Sequence, residues 1–246
     1  TYNNIDVALN DNPGSYDVTT ERVELAAPVR TGFTFKGWYD NKELTGEAVT
    51  VISTAGMRDM ELYAKWSENS YKVVYHSNNG GDVTNEESFT YTESRTLAKN
   101  KFEKDGYEFT GWSLKAGQEA KYTDEELVTG LIADDGGALH LYAVWTPVRY
   151  KIIYENMEGA QNTGNPDSFT VEDDYLTLRE PVKKGYTFGG WYKDAGFKNK
   201  VTETMKLDRG YDWIFYAKWT ANKYVITFDS CLGSSVPTET LSMEYD

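Results

Sequence analysis

The chain has 246 residues, with 25 Lys and Arg against 39 Asp and Glu, and a formal net charge of −14. So acidic a chain excludes a general electrostatic footprint for nucleic acid or for an anionic bilayer. No run of about 20 apolar residues occurs, which excludes a helical membrane span in this segment, and the single Cys231 excludes an intrachain disulfide.

The first patterned stretch is Asn12–Pro28, NPGSYDVTTERVELAAP, with a strand expected around Tyr16–Val18. Pro28 is followed four residues later by Gly32, a loop stop before the next strand. That strand is the block GFTFKGWY, Gly32–Tyr39, and the closing block LYAKW follows at Leu62–Trp66. Leu62, Ala64 and Trp66 alternate with Tyr63 and Lys65, the period-2 signature of a strand with one buried face.

Both blocks return. YKVVY at Tyr71–Tyr75 reads as a strand, Asn78–Gly81 as a turn and Phe89–Tyr91 as a second strand. GYEFTGWS follows at Gly106–Ser113 and LYAVW at Leu141–Trp145. Between them Thr123 and Glu126 have capping-box spacing, which predicts a short helix over Asp124–Thr129. This middle copy has NKFEKDG in place of the Pro approach.

The third copy starts with YKIIY at Tyr150–Tyr154, continues through a Glu158–Gly164 turn and a strand at Phe169–Val171, and carries GYTFGGWY at Gly185–Tyr192 and FYAKW at Phe215–Trp219. Asn165–Pro181 aligns on Asn12–Pro28 without a gap, at a constant offset of 153. In GYTFGGWY, Phe188 and Trp191 are three apart, and Gly190 between them predicts a bulge that brings both to one face. YVITF at Tyr224–Phe228 and the Leu232–Ser235 turn read as the start of a fourth copy.

Trp38, Trp112 and Trp191 are 74 and 79 residues apart; Trp66, Trp145 and Trp219 are 79 and 74 apart. A unit of about 75 residues is therefore repeated in tandem, each able to bury a small core. The expected boundaries are 1–67 for a first repeat lacking its opening strand, 68–147, 148–221, and 222–246 for the start of another. The linkers are a few residues long, so neighbouring repeats should be coupled.

The catalytic inventory is empty: no Cys/His metal spacing, no phosphate loop, no nucleophile elbow. His76 and His140 read as ordinary surface or boundary residues of different parts of the chain. Glu172–Asp174 and Asp134–Asp135 could offer oxygens to Ca²⁺, but they lack EF-hand spacing and read as solvated turns. Trp38, Trp66, Trp112, Trp145, Trp191 and Trp219 recur among apolar neighbours and are expected as structural core. Trp213, beside Tyr211 and Asp212, is expected to lie outside the repeated pattern in a variable loop. It is the candidate exposed contact aromatic, with Tyr211 as its neighbour.

The strand YKIIY, the Pro-to-Gly approach, GYTFGGWY and the closing LYAKW resemble the Listeria–Bacteroides repeat, the module typified by the B repeat of a listerial invasion protein. The likeness covers nearly the whole chain. It implies an α+β, β-rich fold: tandem ubiquitin-like β-grasp modules of about four strands, each with a short helix or helical turn, strung as an elongated rod. It also implies a bacterial cell-surface or secreted protein with no cofactor, no metal and no catalytic residues.

The expected function is a non-enzymatic spacer or stalk, with weak multivalent adhesion as an added property. The rival is an adhesin whose variable loops bind glycan, mucin or a host surface protein. The segment is expected to be monomeric, with strand exchange through Tyr224–Phe228 as a property of cut ends.

Overall fold

The computed structural model describes residues 1–53, 58–81, 83–201, 204–206 and 210–224, with the backbone alone at 204–206. Most of the expected fourth-copy start, 225–246, and with it the strand-exchange expectation, lies outside the described residues. The chain divides into two compact units, Thr1–Lys104 with Phe109–Trp145, and Asp105–Glu108 with Thr146–Asp246.

In chain order the first copy supplies β1 (Tyr2–Asn3), β2 (Arg22–Glu24), β3 (Phe33–Tyr39), β4 (Val51–Ser53) and β5 (Leu62–Glu68). The second supplies β6 (Ser70–His76), β7 (Thr84–Thr90), β8 (Arg95–Thr96), β9 (Tyr107–Ser113), β10 (Leu127–Val128) and β11 (Gly137–Pro147). The third supplies β12 (Tyr150–Glu155), β13 (Ala160–Gln161), β14 (Ser168–Phe169), β15 (Tyr175–Thr177), β16 (Val182–Lys183), β17 (Tyr186–Tyr192), β18 (Thr204–Lys206) and β19 (Trp213–Ala221).

These form mixed sheets of order β1-β5-β3, β7-β6-β11-β9 and β14-β12-β19-β17. In each, the opening and closing strands of the copy run parallel, at the centre of the two four-stranded sheets and with the two-residue β1 at the edge of the first; Tyr2 lies opposite Leu62, Tyr75 opposite Leu141 and Tyr154 opposite Phe215. The Gly-aromatic strand pairs antiparallel to the closing strand. Its ladder shifts register between Phe35 and Gly37 and between Phe188 and Gly190. Gly37, Gly111 and Gly190 have φ of 133°, 142° and 120°, values that suit glycine. The bulge puts Phe and Trp on the same face: the ring centroids of Phe35–Trp38, Phe109–Trp112 and Phe188–Trp191 are 5.4, 4.9 and 5.4 Å apart.

The expected helix over Asp124–Thr129 does not form, and no helix occurs among the described residues. Thr123 N and Oγ1 do donate to Glu126 Oε2, at 2.8 and 3.1 Å. Yet Glu125 has φ of 54°, which breaks a helix at its first turn. The chain then runs into β10, antiparallel to β8, with Val128 buried and Leu127 exposed. Period-2 burial has won over the local cap. The corresponding ribbons are β2–β4 and β15–β18. The observed class is thus β-rich with small mixed sheets, rather than α+β with helices.

Among the described residues the apolar interior gathers into three clusters, each drawn from one copy. Val23 and Ile52 of the first ribbon pack with Trp38, Leu62 and Ala64 of its sheet. Leu97 and Val128 meet Trp112, Leu141 and Ala143. Leu176 meets Trp191, Phe215 and Ala217. Burying an indole of this kind is worth about 4–6 kcal/mol by area, so one Trp dominates so small a core.

Candidate functional site

The inner face of each sheet is built to one plan. Tyr2, Tyr75 and Tyr154 lie 5.0, 4.9 and 5.0 Å from Trp38, Trp112 and Trp191. Those three indoles are buried; Trp66, Trp145 and Trp219 are half-buried, packed against the clusters. The indole N–H groups of Trp66, Trp145 and Trp219 donate to the carbonyls of Asn4, Ser77 and Asn156 at 2.8, 2.8 and 2.9 Å. All six rings are therefore committed to the interior or to closing the turn after the opening strand.

Trp213 is not in a variable loop. It is the first residue of β19, opposite Ile152, and is 7% exposed. Its ring stacks on Phe215 at 5.7 Å, and Lys193 Nζ sits 4.6 Å from the ring centroid. Met60 and Leu139 occupy the same register two residues before Leu62 and Leu141, and both pack on their clusters. The alternation of Trp213, Phe215 and Ala217 was the signal that placed this ring inside. Tyr211 does reach solvent, 53% exposed and 5.6 Å from Trp213, while Asp212 Oδ1 accepts from the Lys151 backbone N–H at 2.8 Å.

The outer face of the central parallel pair differs from copy to copy. The first carries Glu61 and Tyr63, whose hydroxyl donates to Glu61 Oε2 at 2.5 Å. This bond is the main cause of the raised Tyr63 pKa. The third carries Ile153 opposite Ile214, both exposed. The second carries His76, His140 and Tyr142. The two histidines were expected to be unrelated, but β6 and β11 run parallel, with Val74 opposite His140 and His76 opposite Tyr142. His76 Nε2 and His140 Nδ1 are 2.9 Å apart, and the His76 ring stacks on Tyr142 at 4.4 Å. One imidazole must donate and the other accept, so this bond requires at least one neutral ring. Parallel pairing of opening and closing strands was the missing premise in the sequence.

The acidic turns are structural. Asp135 Oδ1 accepts from the Ser70 N–H at 3.0 Å. Asp173 Oδ2 accepts from Thr170 N and Oγ1 at 2.7 and 3.1 Å. Among the described residues no three or more His, Cys, Asp or Glu side chains group to hold a metal ion. Hydrogen bonds from Thr92 hold the Glu68 carboxyl below its ordinary pKa. Burial pushes the Tyr75 phenol up to about 12 and raises Tyr154 as well.

The Listeria-Bacteroides repeat domain model matches residues 1–65, 71–144 and 150–218. A provisionally named Gly-rich membrane protein of Evansella cellulosilytica is 31% identical over 221 residues, 84% of this chain and 24% of the relative. A second, provisionally named membrane protein of that organism is 31% identical over 223 residues, 84% of this chain and 29% of its own length. Internalin H of Listeria monocytogenes is 34% identical over 126 residues, 50% of this chain and 21% of its own. The chain thus spans less than a third of the relatives it matches. Repeats of this kind are typical of bacterial cell-surface proteins, and the surface localisation expected from the sequence agrees with these relatives. Matched three times in tandem over most of its length, the chain belongs to the Listeria–Bacteroides repeat family.

Proposed function

We propose that this segment is a non-enzymatic stalk of a bacterial surface protein, with modules at 1–67, 68–147 and 148–221 and the start of a further one from 222. The observation that supports it is the thrice-rebuilt aromatic core, joined by connections only one or two residues long: Asn69 alone separates β5 from β6, and Val148–Arg149 separate β11 from β12. Each module is read as a helix-less relative of the β-grasp, its ribbon standing where the helix would pack. The stalk carries another domain away from the cell and tolerates any outer-face chemistry, because stability resides on the inner face.

Stretching the chain between handles in a force spectrometer tests this. Successive unfolding steps each releasing about 25 nm, from about 75 residues at roughly 3.6 Å, are expected. One undivided rupture would overturn the stalk reading.

The second reading is an adhesin. It is favoured by the copy-specific outer faces and by the exposed Tyr211 beside Trp213 and Lys193. Its ligands would be host glycans, mucin or surface proteins. Titration against glycans and mucin separates the two: saturable binding that disappears in Tyr211→Ala would replace the stalk with the adhesin.

A further inference from the structure

One polar turn recurs in all copies, after β7 in the second, after β14 in the third and at the equivalent place in the first, where the strand expected around Tyr16–Val18 does not form, and its tip does different things. In the second copy Thr90 N donates to Glu93 Oε2, and in the third Thr170 N donates to Asp173 Oδ2. In the first, Asp17 N donates to Thr20 Oγ1 at 3.2 Å. The tip residues are Val18 and Thr19, Tyr91 and Thr92, and Val171 and Glu172, equivalent because each pair follows the first residue of its turn, Asp17, Thr90 or Thr170.

In two copies the tip packs on a Gly corner that comes earlier in the chain. Inside the first unit the Tyr91 ring fills the space a Cβ on Gly32 would need, and Gly32 has φ of 77°. Inside the second unit Val171 fills the space beside Gly106, at φ of 74°. The second tip residue adds a polar clip. Thr92 donates through N and Oγ1 to Glu68 Oε1, and Glu172 Oε1 accepts from the Tyr107 hydroxyl at 3.3 Å. Each corner carbonyl also accepts a linker N–H at 2.9 Å, from Asn69 to Gly32 and from Val148 to Gly106.

The first copy has the tip without the corner. Val18 is 77% exposed, whereas its equivalent Val171 is 6% exposed. Thr19 turns back onto Asp17 Oδ1 at 2.8 Å instead of reaching outward.

We infer that the Val18–Thr19 turn is a docking surface for the Gly corner of another repeat of this same family, supplied by the polypeptide ahead of Thr1. The corner offers a left-handed glycine with no Cβ and a flanking aromatic, the surface that Tyr91 and Val171 already cover. The relatives are several times longer than the matched segment, so further repeats have room there. The inference stands on the recurring contact and holds whether the segment is a stalk or an adhesin.

The test is a chain in which Thr1–Ile153 runs directly into Tyr2–Asp246, since Tyr2 and Tyr154 hold the same place in the sheet. This puts a second Val18 opposite Gly106. With Cys231→Ser throughout, Val18→Cys is introduced in the second pass of the extended chain and in the parent, and maleimide labelling is timed in both. The parent cysteine should react as an exposed thiol, and the extended one at least about tenfold more slowly, as for a Val171→Cys control. Thr19→Cys is the second probe and should slow in parallel. Equal rates in parent and extended chain at both probes would overturn the inference. So would slow labelling of the parent that depends on its concentration, because the occupant would then be a second molecule.

Discussion

The middle copy and its two neighbours build the same aromatic core with different polar wiring. In the first and third, an Asn side chain clasps the backbone after the ribbon strand: Asn12 with Ala26 N and O at 2.7 and 2.8 Å, Asn165 with Arg179 N and O at 2.6 and 3.0 Å. Those same carbonyls accept the Trp38 and Trp191 indole N–H, both at 3.0 Å. The Tyr2 and Tyr154 hydroxyls donate to Pro13 and Pro166 at 2.9 and 2.8 Å. In the middle copy Glu86 replaces the Pro. There β7 pairs with β6 over seven residues, whereas β14 pairs with β12 over two. The Tyr75 hydroxyl then accepts from Ala98 N at 2.8 Å, and the Trp112 indole N–H is buried without a hydrogen-bond partner. Apolar packing is the shared constraint, and hydrogen bonds re-route around it.

The hardest blow to this comparison would come from the shared part. Trp38→Ala, Trp112→Ala and Trp191→Ala should each cost about 3–5 kcal/mol, because each vacates a buried indole at the centre of its cluster. Urea unfolding followed by fluorescence measures this, and a much smaller loss at one site would separate that copy from the plan. Next come the clasps. Asn165→Ala leaves the Arg179 backbone N–H unserved and its carbonyl with the Trp191 indole as remaining donor, and should cost about 1–3 kcal/mol. Asn85→Ala, at the equivalent but exposed place in the middle copy, should stay within about 0.5 kcal/mol.

Alkali sharpens the contrast further. Burial holds the Tyr75 phenol neutral up to about pH 12, while a phenol in the unfolded chain ionises near 10. The neutral form is the one the fold favours. Its contribution is complete below about pH 10 and is lost as pH rises through about 12. The urea midpoint should fall across that window, and Tyr75→Phe should shallow the fall while lowering stability at neutral pH. The smallest effect is the most specific. Trp191→Phe should cost about 1 kcal/mol more than Trp112→Phe, because only Trp191 gives up a hydrogen bond. Equal costs would mean the middle indole is not the odd one out.

Much of this was legible in one dimension. Spacing alone revealed the copies, Gly190 the bulge, and alternation in LYAKW the buried face. The gapless match of Asn165–Pro181 on Asn12–Pro28 marked two copies as alike, and NKFEKDG marked the middle one as different. Thr123 and Glu126 misled because a capping pattern is local, while the strand that recruits Leu127–Val128 comes from Arg95–Thr96, some thirty residues away. Trp213 misled because its counterparts in register, Met60 and Leu139, share its inward face but not its type.

The amino-acid order by itself determined the repeat, the inner face and the rings that fill it, since period and apolar bulk act over a few residues. Only the tertiary structure decided that ribbons replace helices, that His76 meets His140 and that Val18 stands bare where Val171 is covered. Those outcomes depend on which strands lie side by side, and a parallel pair joins residues sixty or more positions apart.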